Sequence, residues 1–106
     1  MSATTPADRD LIAGVRRALA AAGDPEIAVK QRAYMKSALP YYGLPAPRLK
    51  AELKPLLRDW APADEAQWAA TIRMLWDEAT HREEWYAAIA VARHRRARVW
   101  LDETSL

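Results

Sequence analysis

No stretch of this sequence alternates apolar and polar residues for long enough to make a strand; apolar side chains return every three to four positions, between prolines and glycines. That pattern restricts the chain to packed helices of roughly 12 to 16 residues with short connections. Thr5-Pro6-Ala7-Asp8 offers an N-cap, a proline in the first turn and an acid at the third helical position. Leu11, Val15, Ala18, Leu19 and Ala22 then share one face, and Gly23 stops the helix. Asp24-Pro25 starts a second helix with Ile27, Tyr34, Met35 and Ala38 on its inner face and Pro40 at its end. The segment from Pro40 to Pro47 holds three prolines and Gly43 and reads as an ordered loop.

A third helix begins near Pro47 with Leu49, Leu53, Leu56 and Leu57 on one side. Pro55 is expected to kink or split it, because proline removes an intrahelical hydrogen bond and crowds the preceding turn. Pro62 opens a fourth helix, with Asp64 and Glu65 near its positive end and Trp68, Ile72, Leu75 and Trp76 as the apolar face. Thr80-His81-Arg82-Glu83 has the spacing of a capping box for a fifth helix, which points Trp85, Ala88, Ile89 and Ala92 inward. Val99, Trp100 and Leu101 begin a further apolar element. Alanine at 18, 22, 88 and 92 permits close helix approach, and the last two helices have the size of a HEAT-type hairpin.

A chain of 106 residues is one domain, spanning 1–106, or part of one. Five tryptophans and four tyrosines carry all its aromatic area, since phenylalanine is absent. With no cysteine there is neither a disulfide framework nor a thiolate metal site. The polar stretch from Met1 to Asp10 does not resemble a signal peptide, and no apolar run approaches the ~18 residues of a membrane helix. A soluble, cytoplasmic protein without membrane association is expected.

The net charge of +2 conceals a segregated pattern. Seven bases and one acid, Glu52, lie between Lys30 and Arg58, whereas seven acids and only Arg73 and Arg82 lie between Asp59 and Glu84. Such blocks create local fields that the sum hides. Lys50, Lys54 and Arg58 are four residues apart and line one helix face, provided Pro55 leaves the helix whole. With Arg32, Lys36 and Arg48 they form either a ridge for phosphates or a solvated face. In the run from Arg93 to Arg98, Arg93 and Arg96 suit phosphate contact, and helix-end charge–dipole pairing accounts for them equally well.

Catalytic signals are thin. Asp77-Glu78 and Glu83-Glu84 are adjacent on helices, point in different directions, and read as caps and solubilising charge. His81 and His94 have no neighbouring ligand partners, so no metal is expected. No Gly-rich phosphate loop, serine elbow or zinc motif is present, and the tryptophans at helical spacing read as core.

Two segments carry a resemblance. Ala33-Tyr-Met-Lys-Ser-Ala-Leu-Pro-Tyr-Tyr-Gly-Leu-Pro-Ala-Pro47 and Leu75-Trp-Asp-Glu-Ala-Thr-His-Arg-Glu-Glu-Trp-Tyr-Ala-Ala-Ile-Ala90 resemble, in that order, AlkD-type DNA alkylation repair enzymes. The resemblance runs from about Leu11 to Leu101. It implies a HEAT-like solenoid and a monofunctional glycosylase that releases N3- and N7-alkylated purines from duplex DNA without metal or cofactor. It also implies that Tyr34, Lys36 and Lys50 face the DNA on the concave side. The family's catalytic Trp-Trp-Asp motif has no counterpart in this sequence, for the sole Trp-Asp is Trp76-Asp77 of the second segment. Members of the family are about twice as long as this chain.

The expectation is therefore an all-α, HEAT-like stack of helical hairpins, truncated, with about five to six helices. It would be the DNA-binding N-terminal half of an alkylpurine glycosylase and inactive by itself. Tyr34, Lys36, Lys50, Lys54, Arg93 and Arg96 would contact double-stranded alkylated DNA. An uncapped solenoid end exposing Trp100 and Leu101 would invite a homodimer. The rival reading is a non-catalytic helical module for binding protein, favoured if the acids between Asp59 and Glu84 share a face with the basic ridge.

Overall fold

The computed structural model describes residues 5–100, and every regular element among them is helical. The order is α1 (Arg9–Ala22), α2 (Pro25–Met35), α3 (Ala46–Arg58), α4 (Glu65–Asp77), α5 (Arg82–Ala92) and a 3-10 turn (Arg95–Ala97). The body measures 47 × 26 × 26 Å. Helices α4 and α5 form the most intimate pair, α1 lies along α3, and α1 also touches both α4 and α5. Leu11, Ile12, Val15 and Leu19 of α1 thus meet Leu49 and Leu53 of α3 and Leu75 and Val91 of the α4–α5 pair in one core. Full burial of side chains such as Val15 and Leu19 contributes about 1.5–3 kcal/mol each.

Asp8, not Thr5, caps α1: its side chain accepts from the Leu11 amide and, through Oδ2, from Trp60 Nε1. The Asp8 amide donates to buried Thr71 Oγ1, which ties the start of α1 to α4. Thr5 instead donates its hydroxyl to Asp64, the N-cap of α4. Helix α3 runs unbroken past Pro55, contrary to the expected split. The proline deprives the Ala51 carbonyl of its partner, but both residues are exposed, so water can satisfy that oxygen.

Three inner faces differ from expectation. Helix α2 buries none of its residues; Tyr34 is 87% exposed and Met35 47%. Its apolar side chains are scattered around the helix, so no single face can be buried to advantage. It ends at Met35 rather than running to Pro40, because Lys36 takes a left-handed conformation at φ 50° and turns the chain. Helix α2 is held by its ends and flank: Asp24 N–H donates to Gly43 O, and Gln31 Nε2 donates to Leu44 O. On α4, Trp76 stays 45% exposed and stacks on Trp85 at 5.0 Å. On α5 the buried face is Glu84, Ala87, Ala88 and Val91, rotated from the anticipated Trp85, Ala88, Ile89 and Ala92. Trp100 is half-buried, not exposed as expected, with its ring 5.4 Å from that of Trp68; Leu101 lies outside the described residues.

Candidate nucleic-acid interface

The expected capping box at the start of α5 is replaced by a deeper arrangement. His81 is the N-cap but makes no side-chain cap bond. Glu83, only 1% exposed, turns its carboxylate onto the loop before α3: Oε1 accepts from Tyr42 N at 2.9 Å, and Oε2 from Gly43 N and Leu44 N at 3.0 and 3.3 Å. Glu84, fully buried, accepts from the Tyr42 hydroxyl at 2.7 Å, the Thr80 hydroxyl at 2.8 Å and Arg16 Nε at 3.0 Å. Burial pushes the Glu84 carboxyl up, but these three donors together hold it below the usual glutamate range. The Tyr42 phenol is pushed up by burial and by the carboxylate it serves. Its ring stacks on His81 at 3.8 Å.

Gly43 sits at φ 99°, and a Cβ there would collide with the Asp24 carbonyl oxygen, so the loop is threaded against the α1–α2 turn with no room for a side chain. The two sequence segments that carry the family resemblance are thus bonded to each other, with Glu83 and Glu84 of one gripping the Tyr42–Leu44 backbone and hydroxyl of the other. The sequence reads these glutamates as caps and solubilising charge, with Glu83 closing a capping box. The signal available was an accounting one: a proline-flanked loop carries backbone donors that need acceptors.

With the loop so fixed, α3 presents its outer face beside α5. Between them runs a trough of about 540 Å³ floored by Leu49, Leu53, Leu57, Tyr86 and Ala90 and edged by Lys50, Lys54 and Arg58 on one side and Arg95 on the other. A second hollow of about 620 Å³ shares Ala46, Leu49 and Tyr86 with it and continues toward Lys30, Tyr34 and Met35 at the end of α2. Among the described residues no acid lines either hollow. Tyr41 lines the second, its phenol raised to about 12 by burial and by neighbouring Tyr86.

Continuity of α3 past Pro55 is what brings Lys50, Lys54 and Arg58 into one row. Tyr34 lines the second hollow at its far end, whereas Lys36, the exposed left-handed residue that ends α2, lines neither hollow. Arg93 and Arg96 are exposed, at the end of α5 and in the 3-10 turn, but their neighbour Arg95 is the arginine that edges the trough. Arg48 is engaged with Glu52 at 2.8 Å, and Arg32 donates to the Ser37 and Ala38 carbonyls. Lys30, Tyr86 and Arg95 were not singled out from the sequence; only packing reveals that they share this surface.

Both histidines have structural duties. His81 stacks under Tyr42, as described above. His94 accepts from Arg96 N through Nδ1 and contacts Leu57 O through Nε2 at 2.6 Å, which ties the 3-10 turn to the end of α3. Among the described residues no group of three His, Cys, Asp or Glu side chains is placed to hold a metal ion, and no helix is long and apolar enough to cross a membrane.

An all-helical body with a basic, acid-free trough is a form suited to binding a polyanion. The family model for DNA alkylation repair enzymes matches residues 15–105, and the chain belongs to that family. No curated protein and no solved structure matches the chain.

Proposed function

We propose that this chain is the DNA-binding N-terminal part of an alkylpurine DNA glycosylase of HEAT-like architecture, which releases N3- and N7-alkylated purines. The observation that carries this reading is the single row of Lys50, Lys54 and Arg58 facing Arg95 across a trough without acids. Cations four residues apart recur about every 6 Å along a helix, which suits repeated contact with a phosphate backbone. Tyr34 and Lys36 extend the contact at one end, and Tyr34 offers an exposed ring that a base or sugar can pack against. Arg93 and Arg96 would meet phosphates that overhang the α5 end.

In this reading the residues described bind and orient DNA, while bond breaking is left to groups outside the trough. Loss of a cationic purine breaks the C1′–N bond, its electron pair passes to the base nitrogen, and the positive charge moves to the sugar until water adds. A carboxylate near C1′ would stabilise that charge, and no trough residue supplies one. The Trp-Asp pair of this sequence, Trp76-Asp77, lies at the end of α4, away from the trough lining. The chain alone is therefore expected to bind duplex DNA and to release no base.

The protein-binding alternative is favoured to the extent that acids share the ridge face: Asp59 does pair with Arg58 at 3.5 Å, whereas Glu83 and Glu84 are buried in the loop lock and Asp64 caps α4. The test is base release from duplex DNA carrying N7-methylguanine, with binding followed across a salt series. Binding that weakens steeply with salt and yields no free base is the expected result. Absence of binding at low salt would remove the reading, and base release would assign the chemistry to residues that otherwise serve only the fold.

A further inference from the structure

The trough is not the only place where cations are gathered. On a different face, α1 and α4 enclose a hollow of about 570 Å³ lined by Arg9, Arg16 and Arg17 together with Tyr42, Met74 and Glu78. We infer that this hollow is a second phosphodiester-binding site, which lets one chain hold a second DNA segment. The inference rests on the DNA-binding reading only for the identity of the polyanion.

Four features carry it. Arg16 is clamped in place, with Nε on buried Glu84 at 3.0 Å and Nη2 on Glu78 O at 3.0 Å, so its guanidinium plane is fixed at the back of the hollow. Arg9 and Arg17 flank it, are exposed, and have no ion-pair or hydrogen-bond partner among the described residues. Arg9 is also the first residue of α1, where the helix dipole disfavours a cation, and the nearby Asp8 carboxylate is already occupied by Leu11 N and Trp60 Nε1. Asp10 shares that first turn but makes no ion pair with Arg9, so the guanidinium is left open to an external anion. Finally, Ala13 and Ala20 separate the arginines at helical spacing, which leaves the helix surface bare and lets phosphate oxygens approach.

Arg9 and Arg17 are eight residues apart, about 12 Å along the helix at ~1.5 Å per residue. That covers about three to four nucleotide steps of one strand at ~3.4 Å each. Arginine suits the task because its planar fork pairs with phosphate oxygens in a bidentate manner. Glu78 is the one acid in the lining, so the hollow sets three guanidinium groups against one carboxylate.

The test uses the full chain, a short unmodified duplex and native mass spectrometry at low salt, with circular dichroism confirming that each variant stays helical. Arg16 is left intact because it anchors Glu84. The wild-type chain is expected to bind two duplexes, Arg9→Ala/Arg17→Ala one, and Lys50→Ala/Lys54→Ala/Arg58→Ala also one. The double arginine variant should in addition lower the slope of log affinity against log salt at its site by about two. A wild-type chain that saturates at one duplex, lost with the α3 variant and unaffected by the arginine variant, overturns the second site and leaves the trough standing. A single duplex lost with the arginine variant alone supports the α1 site and removes the trough reading. No binding of any duplex overturns both.

Discussion

The loop lock and the α3 trough put charge to opposite uses. Glu83 and Glu84 are nearly inaccessible and surrounded by donors, whereas Lys50 and Lys54 are exposed and have no internal partner among the described residues. Both regions are dense in charged residues, yet one is part of the scaffold and the other is available to a ligand. What separates them is whether the fold itself satisfies the charge. A buried carboxylate that accepts several hydrogen bonds specifies one loop geometry, and its removal leaves orphaned donors. An exposed cation stabilises almost nothing and is free to meet a phosphate. The distinction predicts that substitutions in the lock will act on stability first and those in the trough on DNA alone.

The largest effect should come from Glu83→Ala. It would leave the amides of Tyr42, Gly43 and Leu44 buried without their acceptor. A loss of about 3–5 kcal/mol is expected, as for breaking a buried charged network. Urea unfolding followed by circular dichroism would show it, and a variant within about 1 kcal/mol of wild type would mean that the lock is ornamental.

Tyr42→Phe makes a finer cut, because it keeps the ring stacked on His81 and deletes only the hydroxyl that donates to Glu84 at 2.7 Å. The expected cost is about 1.5–3 kcal/mol, that of a hydrogen bond to a charged group. It also has a pH signature. The folded pKa of Glu84 lies below its unfolded value, so its contribution is present above the ordinary glutamate range and is lost as pH falls through the folded pKa. Without the tyrosine donor that pKa rises toward normal, and acid unfolding should begin at a higher pH than in wild type. An unchanged acid limb would contradict the assignment.

How much of this could be read beforehand varies with the physics involved. Helix number and approximate bounds were legible because apolar spacing and proline–glycine punctuation act locally. The row formed by Lys50, Lys54 and Arg58 was legible on condition that α3 stayed whole, and the exposure of Ala51 and Pro55 met the condition. The orientation of α2 and α5 was not legible. Tyr34 and Trp76 look like core by hydrophobicity, yet Tyr34 stays open and Trp76 is covered only in part, by Trp85, whereas Glu83 and Glu84 look like surface and are buried by a loop about forty residues earlier in the chain. Such pairings are tertiary, and helical periodicity holds no record of them. Arg95 shows the same limit on a smaller scale: within a run of arginines, which one edges the trough depends on the 3-10 turn that follows α5.

Lys36 lies on the boundary between the two kinds of charge. Its φ of 50° makes it the only non-glycine residue in the left-handed region among those described, at a helix end where glycine is the usual choice. Lys36→Gly should therefore stabilise the fold by about 0.5–1 kcal/mol, since glycine adopts that conformation without the Cβ penalty. If Lys36 contacts phosphate, the same change should weaken DNA binding and lower the salt slope by about one. A variant that is more stable and binds DNA as well as wild type would confine Lys36 to its turn.

The smallest effect on stability, and the sharpest test of the comparison, belongs to Lys50→Ala and Lys54→Ala. Neither lysine has an ion-pair partner among the described residues, and alanine is a good helix former, so unfolding should shift by no more than about 0.5 kcal/mol. Their whole consequence should appear in DNA binding: each loss removes one counterion-releasing contact, weakens affinity alike for every sequence, and lowers the salt slope by about one. Equal slopes for variant and wild type would show that the cations along α3 are merely solvated, in which case charge left unsatisfied by the fold would not by itself mark a binding surface in this protein.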